Sequence, residues 1–298
     1  MRILLLGANG QVGHELRRSL APLGEITCTT RSGLLDDGVT CEVADFEKPE
    51  LLSGLIERLA PDIVVNAAAY TAVDRAEDDV DAAFRANTEA PRRLAEACAA
   101  RDALLVHYST DYVFDGKGDR PYREDDATSP LGVYGASKLA GEQAIQAVAG
   151  RHMIFRTAWV YGNHGNNFMR TMLRLGAERD ELRVVADQFG TPTPAHLIAD
   201  ITSHALKVGS QRSGIWHLTT TGQTSWQGFA KKIFEHALLT GVLSKVPEVI
   251  AISTADYPTR AQRPAFSCLE TARLQHDFEV SLPDWVAGLT QVFDEAEA

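Results

Sequence analysis

The opening residues leave the chain little freedom of fold. Arg2–Leu6 is a short apolar run bounded by Gly7, and it reads as a buried strand. Gly7-Ala8-Asn9-Gly10-Gln11-Val12-Gly13 follows, and Leu16, Leu20 and Leu23 then recur at helical spacing. Strand, glycine turn and helix in that order open a dinucleotide-binding βαβ unit. Gly7 permits the tight turn, Gly10 lets the backbone approach a pyrophosphate, and Gly13 lets helix and strand pack closely. The first helical amides then face the phosphates. A plain strand-to-helix turn can carry the same glycines; the strand before and the helix after favour the nucleotide reading.

The alternation continues. Residues 26–30 read as the second strand, which ends Thr29-Thr30-Arg31-Ser32. A carboxylate at that end would accept bonds from a free ribose 2′-hydroxyl. Here there is none, and the Arg31 guanidinium can pair with a 2′-phosphate instead. This favours NADP(H), with NAD(H) as the second option; the plainer reading of Arg31 is a solvated loop residue. Residues 33–40 form a loop and 41–43 a short strand, after which Asp45 and Phe46 can bond to and pack beside an adenine. Residues 49–59 read as a helix with proline in its first turn. Residues 62–66 are a buried strand running into Ala67-Ala68-Ala69-Tyr70-Thr71, where small side chains leave room for a flat ligand or simply pack tightly. Residues 82–100 read as one long helix, interrupted at most at Asn87.

An apolar run at 103–107 leads to Ser109. Residues 115–131 are a Gly-, Asp- and Pro-rich loop, of a length that is usually functional or mobile. Residues 131–148 are helical and 153–156 form a further strand. Beyond them the order is less regular, with helices at 169–177, 195–208, 226–239 and 284–293 and a strand at 215–218. The expected fold is α/β: a doubly wound, mainly parallel Rossmann-type sheet with a second, smaller interleaved substrate-binding lobe. Residues 1–157 would be the dinucleotide-binding domain. Residues 158–298 would be mainly the second lobe, with some segments returning to the first domain.

A net charge of −11 argues against a nucleic-acid partner. Cys28, Cys41, Cys98 and Cys268 show no CxxC spacing, which suits reduced thiols in a cytoplasmic enzyme. No run approaches the ~20 apolar residues of a spanning helix, and the chain enters a strand at once, so neither a membrane partner nor a signal peptide is expected.

Candidate chemistry lies between Ser109 and Lys138. Tyr134 and Lys138 are four apart and share one helix face. Thr110 stands upstream, where the apolar run has just ended. Hydride reaching a ketone carbon builds charge on oxygen, and that charge needs a donor already in place. Tyr134 is a suitable acid if its phenol pKa is lowered, and the Lys138 ammonium is the expected cause. Thr110 donates a second hydrogen bond. Tyr-x-x-x-Lys alone occurs by chance, with a surface aromatic and a solvated charge as the bland outcome.

These residues resemble the extended short-chain dehydrogenase/reductase superfamily and, within it, the dTDP-4-dehydrorhamnose reductase family. The resemblance spans nearly the whole chain. It rests on Gly7 to Gly13, on Val65-Asn66-Ala67-Ala68-Ala69-Tyr70-Thr71-Ala72-Val73-Asp74, and on Ser109-Thr110-Asp111-Tyr112-Val113-Phe114-Asp115-Gly116. Further matches are Val133-Tyr134-Gly135, Lys138-Leu139-Ala140-Gly141-Glu142, the 156–162 and 165–168 stretches, Asp187-Gln188-Phe189-Gly190-Thr191-Pro192-Thr193, and Arg263-Pro264. It implies NAD(P)H-dependent reduction of the C4 ketone of dTDP-4-dehydro-β-L-rhamnose, with Thr110, Tyr134 and Lys138 as the catalytic set. It implies cofactor contacts at Gly10, Gln11, Val12, Asp45, Phe46, Ala69, Tyr70, Thr71 and Tyr108. Thr71, Val73, Asp111 and Trp159 would touch the sugar nucleotide, and Asn166, Gln188 and Arg263 its diphosphate-linked thymidine. Trp159 also fits a core indole.

Two departures from the family pattern stand out. Thr30 replaces an acidic residue, which strengthens the lean to NADPH. Some members hold Mg²⁺ through carboxylates at a dimer contact; Glu15 fits, but His196 occupies the second position, and the residues assemble no metal cluster. A monomer and a homodimer are both open. Superfamily epimerases and dehydratases share the Tyr/Lys pair. A dehydratase commonly adds an Asp-Glu pair after the threonine, whereas Asp111 here precedes Tyr112. A non-catalytic subunit with this fold, as in the regulatory subunit of methionine adenosyltransferase, would not need the intact Thr110, Tyr134 and Lys138.

Overall fold

Seven parallel strands form the spine of the molecule in the computed structural model, which describes residues 1–297. They are β1 (Arg2–Leu6), β2 (Glu25–Thr30), β3 (Glu42–Val43), β4 (Ile63–Asn66), β5 (Leu104–Thr110), β6 (His152–Thr157) and a late strand, Gly214–His217. Across the sheet the order is 214–217, β6, β5, β4, β1, β2, β3, and each neighbouring pair is parallel. The helices around the first half are α1 (Gln11–Leu20), α2 (Leu52–Leu59), α3 (Val73–Ala76), α4 (Val80–Phe84), α5 (Ala90–Ala99) and α6 (Val133–Ala147).

Near-continuous apolar strands are what a sheet covered on both faces requires. In β1, Ile3 and Leu5 enter one core with α1 and helix Ala195–Gly209, while Leu4 and Leu6 enter the other with α2, α5 and α6. Phe155, Trp216 and Phe278 are fully buried together in the first core. Side chains of that size each stabilise the fold by roughly 1.5–3 kcal/mol through burial. Because β1 has β4 on one side and β2 on the other, the sheet's switch point lies at β1. In open sheets of this kind ligands bind there, beyond the strands' carboxyl ends.

The helix read over 82–100, with Asn87 as its one allowed interruption, is α4, a π turn at Arg85–Glu89 that contains Asn87, and α5. Asn87 gives the reason. Its buried side chain accepts from Tyr70 N at 2.9 Å and donates to Tyr70 O at 3.0 Å and Ser137 Oγ at 3.0 Å. One extra residue in the turn aims that amide inward, as π bulges do.

The second half contributes to both regions. Strand Gly214–His217 and helix Ala195–Gly209 join the central sheet and its first core. A separate core gathers Tyr161, Met172, Leu182, Phe229, Ile233 and Phe293. Its parallel pair, Glu181–Val185 with Glu248–Ile252, was not foreseen, and neither was helix Ala272–Phe278. The 115–131 loop is anchored rather than loose. Tyr122 is buried, stacks on Phe114 at 4.3 Å, donates to Asp115 at 2.7 Å and accepts from Gly118 N. No helix among the described residues is long and apolar enough to cross a membrane.

Candidate active site

The glycine turn has the expected form. Gly7 lies at φ +80°, and a Cβ there would come within 2.8 Å of Ala68 N. A Cβ on Gly13 would sit 2.0 Å from the Gly7 carbonyl, so α1 packs backbone to backbone against the turn. Gly10 is the exposed N-cap of α1 and uses no side-chain cap, which leaves the first helical amides, those of Gln11 and Val12, available to an anion. At the end of β2, Thr30 is buried and its hydroxyl bonds to the Leu34 backbone. Arg31 is exposed, 3.3 Å from Glu47 and 4.0 Å from Asp45. Asp45 is half-buried and Phe46 is buried in the second core. Ala69 and Thr71 are exposed beyond β4, while Tyr70 is half-buried and donates to Asp79. Tyr108 offers the site its carbonyl rather than its ring, because its hydroxyl bonds to Thr202 at 2.8 Å within the first core.

The chemistry sits where β5 ends. All seven residues of that strand are buried, and the chain then enters a short turn. Thr110 caps the turn by accepting from Tyr112 N, and its hydroxyl donates to Asp111 Oδ1 at 3.0 Å. Asp111 is 2% exposed and its Oδ2 has no partner. Burial pushes its carboxyl up to about 6 against the pull of neighbouring hydroxyls.

Helix α6 brings the phenol and the ammonium to the same place. Tyr134, in the first turn, packs edge-on to Tyr112 with centroids 5.6 Å apart. Its ring is half-buried, but its hydroxyl is surrounded by enough protein that burial raises the phenol pKa, with Thr110 pulling the other way. The expected lowering by Lys138 is therefore not found. The physical reason is burial of the phenol, and the lysine is engaged elsewhere: Nζ donates to Tyr108 O at 2.6 Å and lies 3.4 Å from His107 Nε2. Lys138 is 2% exposed, and burial brings its ammonium down to about 8, with Glu142 acting in the opposite direction. One turn further along α6, Glu142 accepts two bonds from Arg156 at 2.9 and 2.7 Å, with both side chains almost wholly buried. Arg156 also lies over the Phe114 ring at 5.2 Å. That pair fixes α6, and with it Tyr134 and Lys138, to β6.

The expected sugar-nucleotide residues are more dispersed. Val73 begins α3 and is half-buried. Trp159 has φ +46°, a conformation that costs a non-glycine residue on the order of 1 kcal/mol. Its indole stacks on Trp226 at 3.5 Å, and a Cβ on Gly190 would collide with it, so the indole is held flat. Arg263 donates to Asp74 Oδ2 at 2.6 Å and to the Tyr112 hydroxyl at 3.2 Å, which brings it beside the β5 end. Gln188 is buried with its amide nitrogen on Thr254. Asn166 is exposed in the loop after Tyr161. Glu15 pairs with Arg18, and His196 faces Glu295.

Sequence reasoning missed Asn66, His107, Asp74 and the buried Glu142–Arg156 pair, all of which depend on partners distant in the chain. It also missed a clip at the rim. Asp36 Oδ2 lies 3.1 Å from His14 Nδ1 and 3.6 Å from His164 Nε2, while Arg17 holds Oδ1 at 2.8 Å. The two imidazoles are stacked in parallel 4.1 Å apart. His14 Nδ1 faces the Asp36 carboxylate and His164 Nε2 also faces the Asn9 carbonyl, so both nitrogens serve as donors here and the trio ties the loops together.

The whole chain, residues 1–298, matches the family described as the RmlD substrate binding domain. It is 46% identical over 298 residues to the dTDP-4-dehydrorhamnose reductase of Escherichia coli (strain K12), covering 99% of this chain and 98% of that relative. It is 48% identical over 294 residues to the enzyme of the same name from Burkholderia thailandensis, covering 96% and 95%. Among solved structures, the dTDP-4-dehydrorhamnose reductase of Bacillus anthracis in complex with NADP aligns with a TM-score of 0.89 at 36% identity, covering 99% of both chains.

Proposed function

The chain belongs to the dTDP-4-dehydrorhamnose reductase family, and from that premise we propose how its residues carry the reaction. The reaction is the NAD(P)H-dependent reduction of the C4 ketone of dTDP-4-dehydro-β-L-rhamnose to dTDP-β-L-rhamnose, the last step of dTDP-rhamnose synthesis. Gly7, Gly10, Gln11, Val12 and Gly13 suit a dinucleotide, since the turn admits no Cβ and presents free helical amides. When bound, the nicotinamide supplies the hydride. NADPH is the preferred form: β2 ends without a carboxylate, and the B. anthracis relative was solved with NADP. Arg31 is the residue for the 2′-phosphate. Its present ion pairs are exposed and therefore worth little, so exchanging them costs little. Residues 1–157 hold the dinucleotide, and 158–298 mainly hold the sugar nucleotide.

Tyr134 is the proton donor. As carbon takes the hydride, the C=O π bond opens onto oxygen, which takes the phenolic proton. A donor must hold its proton beforehand, and a buried phenol with a raised pKa does. Thr110 steadies the same oxygen with a hydrogen bond once its one hydroxyl proton turns from Asp111 Oδ1 to the substrate. The phenolate left behind is reprotonated by Lys138, whose ammonium burial has made a better acid than a free lysine. Asp111 turns its unpartnered oxygen to a sugar hydroxyl. Thr71, Val73, Trp159, Asn166, Gln188 and Arg263 complete the sugar-nucleotide surface. The observation that carries this reading is the junction of Thr110, Tyr134 and a buried Lys138 at the carboxyl end of β5. The test is stoichiometry: one NADPH oxidised per dTDP-4-dehydro-L-rhamnose consumed. Sugar conversion without net NADPH oxidation would assign the protein to an epimerase or dehydratase instead.

A further inference from the structure

Two buried polar side chains behind Lys138 have no part in that reading. Asn66 ends β4, and His107 stands opposite it in the sheet register. Each is 1% exposed. Asn66 Oδ1 accepts from Ala68 N at 3.1 Å, which fixes the orientation of the amide. Its other end, Nδ2, faces His107 Nδ1 at 3.0 Å. An amide nitrogen can only donate, so Nδ1 must accept through its lone pair, and the proton of a neutral imidazole then sits on Nε2. The imidazole is neutral, because burial first, and the Lys138 charge second, hold His107 well below the ordinary histidine range.

Nε2 lies 3.4 Å from Lys138 Nζ. An N–H turned toward an ammonium sets donor against donor. Turned toward a neutral amine, it finds a lone pair. We propose that His107 is a positioning residue for Lys138: locked by Asn66 with its proton on Nε2, it presents an N–H to Nζ and so favours release of the lysine's proton toward Tyr134. This rests on the reading that Lys138 reprotonates Tyr134. Glu142 on α6 acts the other way on Lys138, but its carboxylate is already held by Arg156 from β6. The remaining polar group on Nζ is the Tyr108 carbonyl, which prefers the ammonium. Burial already favours release, and the imidazole adds to it the one directed side-chain contact on Nζ that disfavours the ammonium. Its orientation traces back to Ala68 N, in the stretch that lies against the Gly7 turn.

Two measurements test the proposal. Nitrogen-15 NMR of histidine-labelled protein reads the tautomer directly, without any variant or turnover. The expected result between about pH 6 and 9 is a neutral His107 protonated on Nε2. A proton on Nδ1, or an imidazolium, overturns the proposal. Kinetically, Asn66→Asp replaces the donor facing Nδ1 by a carboxylate acceptor, which moves the proton to Nδ1 and leaves a lone pair for the ammonium. The alkaline limb of kcat against pH should move up by about one unit or more. His107→Leu, which removes the N–H, should move it in the same direction by less. An unchanged limb in His107→Leu overturns the proposal, since that variant removes the N–H without adding charge, whereas the new carboxylate of Asn66→Asp would by itself raise the limb. If Tyr134→Phe proved fully active, the parent reading would fail while the NMR result still decided the tautomer.

Discussion

Lys138→Met should make the protein more stable at neutral pH while removing its activity. The lysine is buried in a strand–helix interface, and its pKa falls from 10.5 to about 8. At about 1.4 kcal/mol per unit, the charged form costs the fold about 3 kcal/mol relative to the unfolded chain. Below pH 8 both states are protonated and the folded state carries the whole cost. Between about 8 and 10.5 the unfolded chain holds the extra proton, so wild-type stability rises with pH. Above 10.5 the cost is gone. Methionine fills a similar volume without charge, but it leaves the His107 N–H and the Tyr108 carbonyl without this partner, at about 1–2 kcal/mol. The variant should therefore gain about 1–2 kcal/mol at pH 7 by urea denaturation, and the gain should shrink and reverse as pH rises through 8 to 10.5. A variant less stable than wild type at pH 7, with a difference that ignores pH, would refute the reasoning.

Other substitutions probe separate parts of the site. Arg156→Met leaves Glu142 buried and unpaired and should cost about 3–5 kcal/mol in the same assay, most of it recovered in the Glu142→Leu/Arg156→Met double variant. Arg31→Ala should raise KM for NADPH roughly tenfold, the loss of about one charge-assisted contact, and leave KM for NADH unchanged. The Asp111 pKa rises from 3.8 to about 6, so its ionised form is disfavoured in the fold and stability should fall as pH rises between those values. Asp111→Asn should flatten that dependence in a pH series of urea melts and weaken sugar-nucleotide binding measured by calorimetry.

The sequence made some of this structure legible and hid the rest, for identifiable reasons. Gly7, Gly10 and Gly13 could be read because backbone geometry ties each to a local role. Tyr134 and Lys138 could be read because four residues on a helix define a shared face. Helix 82–100 was read through its π turn, since the cause is Asn87 bonding to Tyr70, seventeen residues away. The Tyr134 pKa was read in the wrong direction for a similar reason. Proximity along α6 suggested that the ammonium would govern the phenol, but burial dominates and Lys138 is bound to a carbonyl on β5. The pairing of Asp74 with Arg263 and of Glu142 with Arg156 was hidden, because partners so far apart in the chain meet only on folding. Strands Glu181–Val185 and Glu248–Ile252 are short, and each depends on the other as partner.

The central claim is that the phenol of Tyr134 supplies the proton to the sugar ketone. Single-turnover reduction of dTDP-4-dehydro-L-rhamnose by NADPH-loaded Tyr134→Phe tests it most directly. The account predicts a chemical step slowed by about 10²–10⁴ with NADPH affinity retained. A rate within a few-fold of wild type would contradict it.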